Sequence, residues 1–270
     1  MSPHVHDAMG PWAVWMTIAF AVAAGEYARG WARVRGSSAN PIPVWRALAF
    51  FVGLGSAWIA VASPIGGGDG RLLTFHMIQH LLLMTIAPPL ILLGEPVIAL
   101  WQCWGHPHDA VLGLVRRPAL QWLGHPALCW LTATAVLVGW HVPALFTLAL
   151  QSPTLHAIEQ ASFLATGLLF WWPIVQPWPS RAGRGWSTVL YLFLATLPCD
   201  ILSGFLVFSD RVAYSAYLST SPRLAVLDDQ QCAGALMWTV VTLVYLVAGT
   251  LVSAQLLVSP SPRHRLAEVV

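Results

Sequence analysis

The chain has 270 residues, 57% of them hydrophobic and 9% charged, with a mean hydropathy of +0.67. Such values exclude an ordinary water-soluble domain and indicate a polytopic membrane protein. The net charge of +2, from scattered arginines with no lysine, excludes a nucleic-acid partner.

A helical span needs roughly 20 apolar residues. Seven stretches qualify: about 11–28, 44–63, 72–94, 125–142, 154–176, 186–208 and 229–257. Polar, proline-rich or glycine-rich connectors such as GSSANPIP and PIGGGDGR separate them, and no soluble domain is left over. The expected fold is an all-α, seven-helix transmembrane bundle, one domain over residues 1–270. Ahead of the first span, MSPHVHDAMG has no basic segment, so no cleavable signal is expected. His4 and His6 lie there; Pro3 lacks the amide nitrogen that an amino-terminal Cu(II) site uses, which leaves a weak collecting role.

Arginine placement sets the orientation. The first connector holds Arg29, Arg33, Arg35 and Arg46, the third Arg116 and Arg117, the fifth Arg181 and Arg184, and the tail Arg263 and Arg265. The other side has Arg71, Arg211 and Arg223. The bias puts the N-terminus outside and the C-terminus in the cytoplasm, as an odd helix count requires. Trp31, Trp45, Trp122, Trp178 and Trp186 then mark cytoplasmic ends, and Trp12 and Trp140 outer ends. In the long third connector, DAVLGLVRRPALQWL reads as an interfacial amphipathic helix stopped at Pro118, or as an ordinary loop.

With orientation set, each polar residue acquires a depth. The third span runs inward, placing His76 ~6 Å and His80 ~12 Å below its outer end at 1.5 Å per residue. Span four ends outward in GWHVP, bringing His141 to the outer mouth. Span five begins TLHAIEQ, with His156, Glu159 and Gln160; span six carries Cys199 and Asp200; span seven begins DDQQCAG, with Asp229 and Cys232. Ionisable residues from five helices thus collect in one leaflet, above an almost purely apolar inner half. Glu26 is the exception, and an ion pair with Arg29 at the cytoplasmic end explains it. Intramembrane ionisable groups are costly, usually mark function and face the bundle interior. On span three, His76, Gln79, His80 and Leu83 share that stripe.

Three chemistries fit the cluster. Imidazoles at i and i+4 converge on one ion, and neutral imidazole suits copper or zinc. His76 and His80 supply two ligands, His141 or His156 a third, and Glu159, Asp229 and Asp200 act as further ligands or orient a ring N–H. Cys199, Cys232, Met77 and Met84 are soft donors suited to Cu(I), though Met77 projects from another face of its helix than His76 and His80. Haem, quinone or a proton relay is the second reading; haem typically takes one histidine from each of two helices, and a relay finds nothing to continue it in the inner half. The third is a metal-free scaffold in which the histidines hydrogen-bond across helices. The four cysteines, Cys103 and Cys129 included, form no CxxC pair and read equally as small buried apolar residues. No GxSxG or HExxH marks a hydrolase. Proline bends are expected at Pro88–Pro89 and at Pro198.

HMIQHLLL followed by APPLILLGEP resembles the signature of the CtaG family of multi-span bacterial cytochrome c oxidase assembly factors. WHVP at 140–143, HAIE at 156–159, GLLFWWP at 167–173, LP with a following SG at 197–204, Tyr214 and Tyr217, and DQQCAGALMW at 229–238 follow in order, so the likeness covers about residues 72–245. The resemblance implies a non-enzymatic, multi-pass protein of the bacterial inner membrane that serves a respiratory haem–copper oxidase. It further implies support of copper insertion on the outer side, with oxidase subunits and a periplasmic copper donor as partners; the soft donors make Cu(I) the expected form. His76, His80, His141, His156, Glu159 and Asp229 occupy the motif positions. The family's HxxEH in span five departs here, where Gln160 stands in place of the second histidine.

Overall fold

The computed structural model describes residues 11–37, 42–62, 72–104, 124–175, 185–219 and 223–258. His4, His6, Arg71, the 109–123 segment with Arg116, Arg117 and Trp122, Trp178, Arg181, Arg184, Arg263 and Arg265 lie outside the described residues. What is described is helical, with no strand.

Helix α1 spans Pro11–Ser37 and α2 spans Val44–Ala62. Helix α3, Leu73–Leu81, passes through a π-helical turn, Leu82–Ile86, into α4, Ala87–Leu93. Pro88 and Pro89 do not end the span, which runs on to Leu93: both fall in the first turn of α4, where a missing N–H costs least, and the wider turn precedes them. After the LGEP turn comes α5, Pro96–Cys103. Glu95 in that turn has φ 51°, unusual for a residue with a Cβ, and its carboxylate pairs with Arg46 of α2.

Helix α6, Pro126–Trp140, breaks at His141–Val142 and turns by 74° into α7, Pro143–Gln151. The fourth span expected at 125–142 therefore ends early, and α7, read from sequence as a connector, is a helix started by Pro143. Helices α8 (Pro153–Val175), α9 (Trp186–Phe208) and α10 (Arg223–Val258) complete the bundle, with a 3₁₀ turn at Ser215–Ser219.

Among the described residues, four helices are long and apolar enough to cross a membrane, and a fifth crossing is available if α6 and α7 count as one bent span. Helices α1 and α8, at 27 and 23 residues, have the length. Glu26 and Arg29 in one, and His156, Glu159 and Gln160 in the other, dilute their apolar character. The outside of α9 and α10 is greasy: Phe193, Ile201, Phe205, Leu246 and Leu251 are each at least 59% exposed. So large an apolar surface is stable only against lipid. This is a helical membrane protein.

Small residues let the helices meet. A Cβ on Gly30 of α1 would lie 1.7 Å from the Ala99 carbonyl oxygen of α5. One on Gly167 of α8 would lie 2.8 Å from the Pro88 ring and 3.0 Å from the Met84 Cα. Without a hydrophobic force between helices in lipid, such close backbone contact supplies much of the association. At the arginine-rich end of α1, Glu26 pairs with Arg29 as expected and accepts from the Cys103 thiol at 3.0 Å.

Candidate metal centre

The second half of α3 faces α8 and α10, and its polar stripe is sealed from solvent. His76 and Gln79 are fully buried, His80 is 5% exposed, and Leu83 below them is fully buried. From α8 the Glu159 carboxylate, also fully buried, reaches in between the two rings. Its Oε1 lies 3.4 Å from His76 Nε2 and 3.3 Å from His80 Nε2.

His156, half-buried one turn before Glu159, stacks toward His76 with ring centroids 5.8 Å apart and planes at 20°. One ligand atom from each of His76, His156 and Glu159 falls within a 4.8 Å group, close enough to share one ion. Gln160 Nε2 sits 3.3 Å from His156 Nε2. The residue replacing the family's second histidine therefore touches the first.

His141 enters from the α6–α7 break. Its ring lies 5.9 Å from that of His80. Nδ1 donates to the Leu137 carbonyl at 2.7 Å, which fixes the tautomer and leaves the Nε2 lone pair available for a metal. Tyr214 donates to the His141 backbone carbonyl at 3.2 Å. Gln230 in turn holds the segment carrying Tyr214, accepting from the Ala213 amide at 2.7 Å and donating to the Arg211 carbonyl at 3.2 Å.

What these groups lack is as informative as what they touch. Both ring nitrogens of His76 and of His80, Nε2 of His141 and both Glu159 oxygens are buried without a hydrogen bond of acceptable geometry among the described residues. Buried polar atoms almost always have partners, and a bound ion or water is a standard reason for an exception. A carboxylate and three imidazoles left so would cost several kcal/mol. The donor set fits a transition-metal ion: nitrogen and carboxylate ligands converging from two helices, with a third helix end beside them.

Other residues singled out from sequence sit elsewhere. Asp229 of α10 does not join the cluster. Its carboxylate accepts from the Leu73 amide at 2.6 Å, the Thr74 amide at 3.3 Å and the Thr74 hydroxyl at 2.6 Å, capping the first turn of α3, which has no cap of its own. Asp200 is half-buried on α9, apart from the His–Glu cluster. Cys232 is exposed on the outside of α10, whereas Cys199 is buried.

Beside the cluster lies a cavity of about 40 Å³ lined by α3 and its π turn, α6, α8, α9 and α10. His80 and His141 line it, and so do Met77, Met84, Met237 and Cys199. Met77, placed by sequence on another face than His80, thus shares this wall with it. Phe146 is a residue that sequence reasoning missed. It is fully buried on α7 and packs edge-on against His76 with centroids 4.8 Å apart.

The fold and this buried His–Glu group define a class: helical membrane proteins built around an intramembrane donor cluster. A family model described as cytochrome c oxidase caa3 assembly factor matches residues 25–259, and the chain belongs to that family. It is 24% identical over 241 residues to an uncharacterized protein of Mycobacterium leprae, covering 85% of this chain and 36% of the relative. Uncharacterized proteins of Mycobacterium bovis and Mycobacterium tuberculosis are each 26% identical over 237 residues, covering 80% of this chain and 34% of theirs. The chain thus spans about a third of the length of the curated relatives it matches. No solved structure matches it.

Proposed function

We propose that this protein is a seven-span inner-membrane factor, N-terminus outside, that binds copper as Cu(I) between α3 and α8. In this reading it supports insertion of the metal into a haem–copper oxidase. His76, His156 and Glu159 hold the ion, with His80 completing the shell. Its partners are the oxidase subunits and a copper donor on the outer face, and it turns over no substrate.

The observation that carries this reading is the convergence of Glu159 Oε1 on His76 and His80 in a buried place where none of the three has a proper hydrogen bond. A scaffold that used histidines as interhelical glue would satisfy those atoms. Family membership supports the oxidase as the client. The adjoining cavity, at about 40 Å³, suits an ion and not a macrocycle or quinone, since small-molecule pockets run to about 300–1,000 Å³.

The test is anaerobic Cu(I) loading of the detergent-purified chain against a competing chelator. Wild type should retain copper, and His76→Ala/His80→Ala should lose the nitrogen-bound ion. Copper content unchanged by the double substitution would sink the assignment, and a Soret band in protein from cells would turn the reading toward haem.

A further inference from the structure

The cavity next to the cluster has a chemistry of its own. The chain has six methionines, three of them within the first 16 residues. All three others, Met77, Met84 and Met237, line this one cavity, and Cys199 joins them from a third element. Methionine as a gap-filler would be scattered through the apolar core, where leucine serves as well. Of the four described methionines, only Met16 of α1 lies away from this space.

Helix α3 and its π turn give five residues to that wall. Met77, His80 and Leu81 line the cavity at the i, i+3, i+4 spacing of one face of α3, and Met84 and Thr85 follow from the π turn. Met84 lies within the π turn, whose backbone is held by Trp171 donating to the Met84 carbonyl at 3.1 Å. Met237 faces it from α10. His141, 6% exposed and with a buried Nε2 that lacks a hydrogen bond, closes the end nearest the cluster beside His80.

We infer that this cavity is a second metal site, a sulfur-lined chamber for a soft monovalent cation, reached from the His–Glu cluster through His80 and His141. The inference rests on the copper reading of the cluster. Thioethers select Cu(I) over harder ions. They carry no charge and need no deprotonation, so an apolar wall can hold them without the cost of a buried ionised ligand. Coordination by Cys199 would release its thiol proton; the three methionines and two imidazoles need release none. The volume of about 40 Å³ admits an ion, since one water needs about 10–15 Å³ on the same measure. Transfer between the sites is ligand exchange at His80, which faces Glu159 on one side and the cavity on the other. No electron moves.

Anaerobic Cu(I) titration of the full-length protein, with copper K-edge absorption spectroscopy, decides it. Wild type should bind two Cu(I) per chain and show sulfur scatterers. Met77→Leu/Met84→Leu/Met237→Leu should bind one and lose the sulfur shell, while His76→Ala/Glu159→Gln should bind one and keep it. Leucine for methionine conserves volume and is well tolerated in cores, and the wild-type spectrum is decisive even if the triple variant does not fold. One ion in wild type with a nitrogen and oxygen shell alone overturns the second site and leaves the cluster reading standing. A triple variant that keeps two ions and its sulfur shell also overturns it. No Cu(I) bound at all overturns both.

Discussion

The carboxylate of Asp229 accepts a hydrogen bond from the backbone amide of Leu73 at 2.6 Å, so that the last helix of the bundle caps the helix carrying His76 and His80. The cap works on two counts: it satisfies amides that no intrahelical carbonyl can reach, and it places negative charge at the positive end of the helix dipole. Asp229 is a positioning residue. Asp229→Ala should cost about 1–2 kcal/mol, read as a lowered melting temperature in detergent. Copper affinity should weaken without loss of a ligand from the absorption spectrum. Asp229→Asn, which keeps one acceptor, should recover part of both.

Glu159→Gln separates a metal site from structural glue. The amide keeps the shape and removes a buried charge whose oxygens lie near His76 and His80 but make no hydrogen bond of acceptable geometry among the described residues. Metal-free protein should be as stable as wild type or more so, while Cu(I) affinity falls by more than about tenfold. A melting temperature that drops in the metal-free variant would instead mark Glu159 as one half of a structural ion pair.

Gln160→His restores the HxxEH pattern at a position already 3.3 Å from the His156 ring. The new imidazole has the His156 ring as a partner to join. Cu(I) affinity should rise by roughly tenfold, about 1.4 kcal/mol, measured by chelator competition. Slower release to an acceptor should accompany it, because an added ligand deepens the site.

Gly167→Ala tests the packing that supports the site from behind. The new methyl would meet the Pro88 ring at 2.8 Å and backbone at 3.0 Å, and backbone does not yield as a side-chain end does. Destabilisation of about 1–3 kcal/mol is expected from overpacking of this kind. Thermal unfolding followed by tryptophan fluorescence would show it.

Much of the site was legible because lipid makes polar residues conspicuous. His76, His80, His156 and Glu159 stand out in apolar stretches, and the helical repeat alone puts each pair on one face. Asp229 stood out for the same reason but does something else. A carboxylate that binds an ion and one that caps a neighbouring helix look alike when the capped helix lies 156 residues away. Met77, expected on another face than both His76 and His80, shares the cavity wall with His80. Three residues at about 100° each bring it within about 60° of His80. Phe146 was invisible because its nine-residue helix is too short to read as a span, and a sharp break after Trp140 carries no signal beyond one proline.

The π turn at Leu82–Ile86 acts as a phase adjuster. One extra residue in a turn advances everything beyond it by about 100° relative to an unbroken helix. Above the turn, α3 presents its donors to the interior; beyond it, Ala87 and Pro88 sit flush against Gly53 of α2 and Gly167 of α8. Deleting one residue there would leave the histidines in place and swing Ala87 out of register with Gly53 and Pro88 out of register with Gly167. The span can therefore serve two differently aimed surfaces, one chemical and one architectural, and the five residues between them set the angle at which they meet.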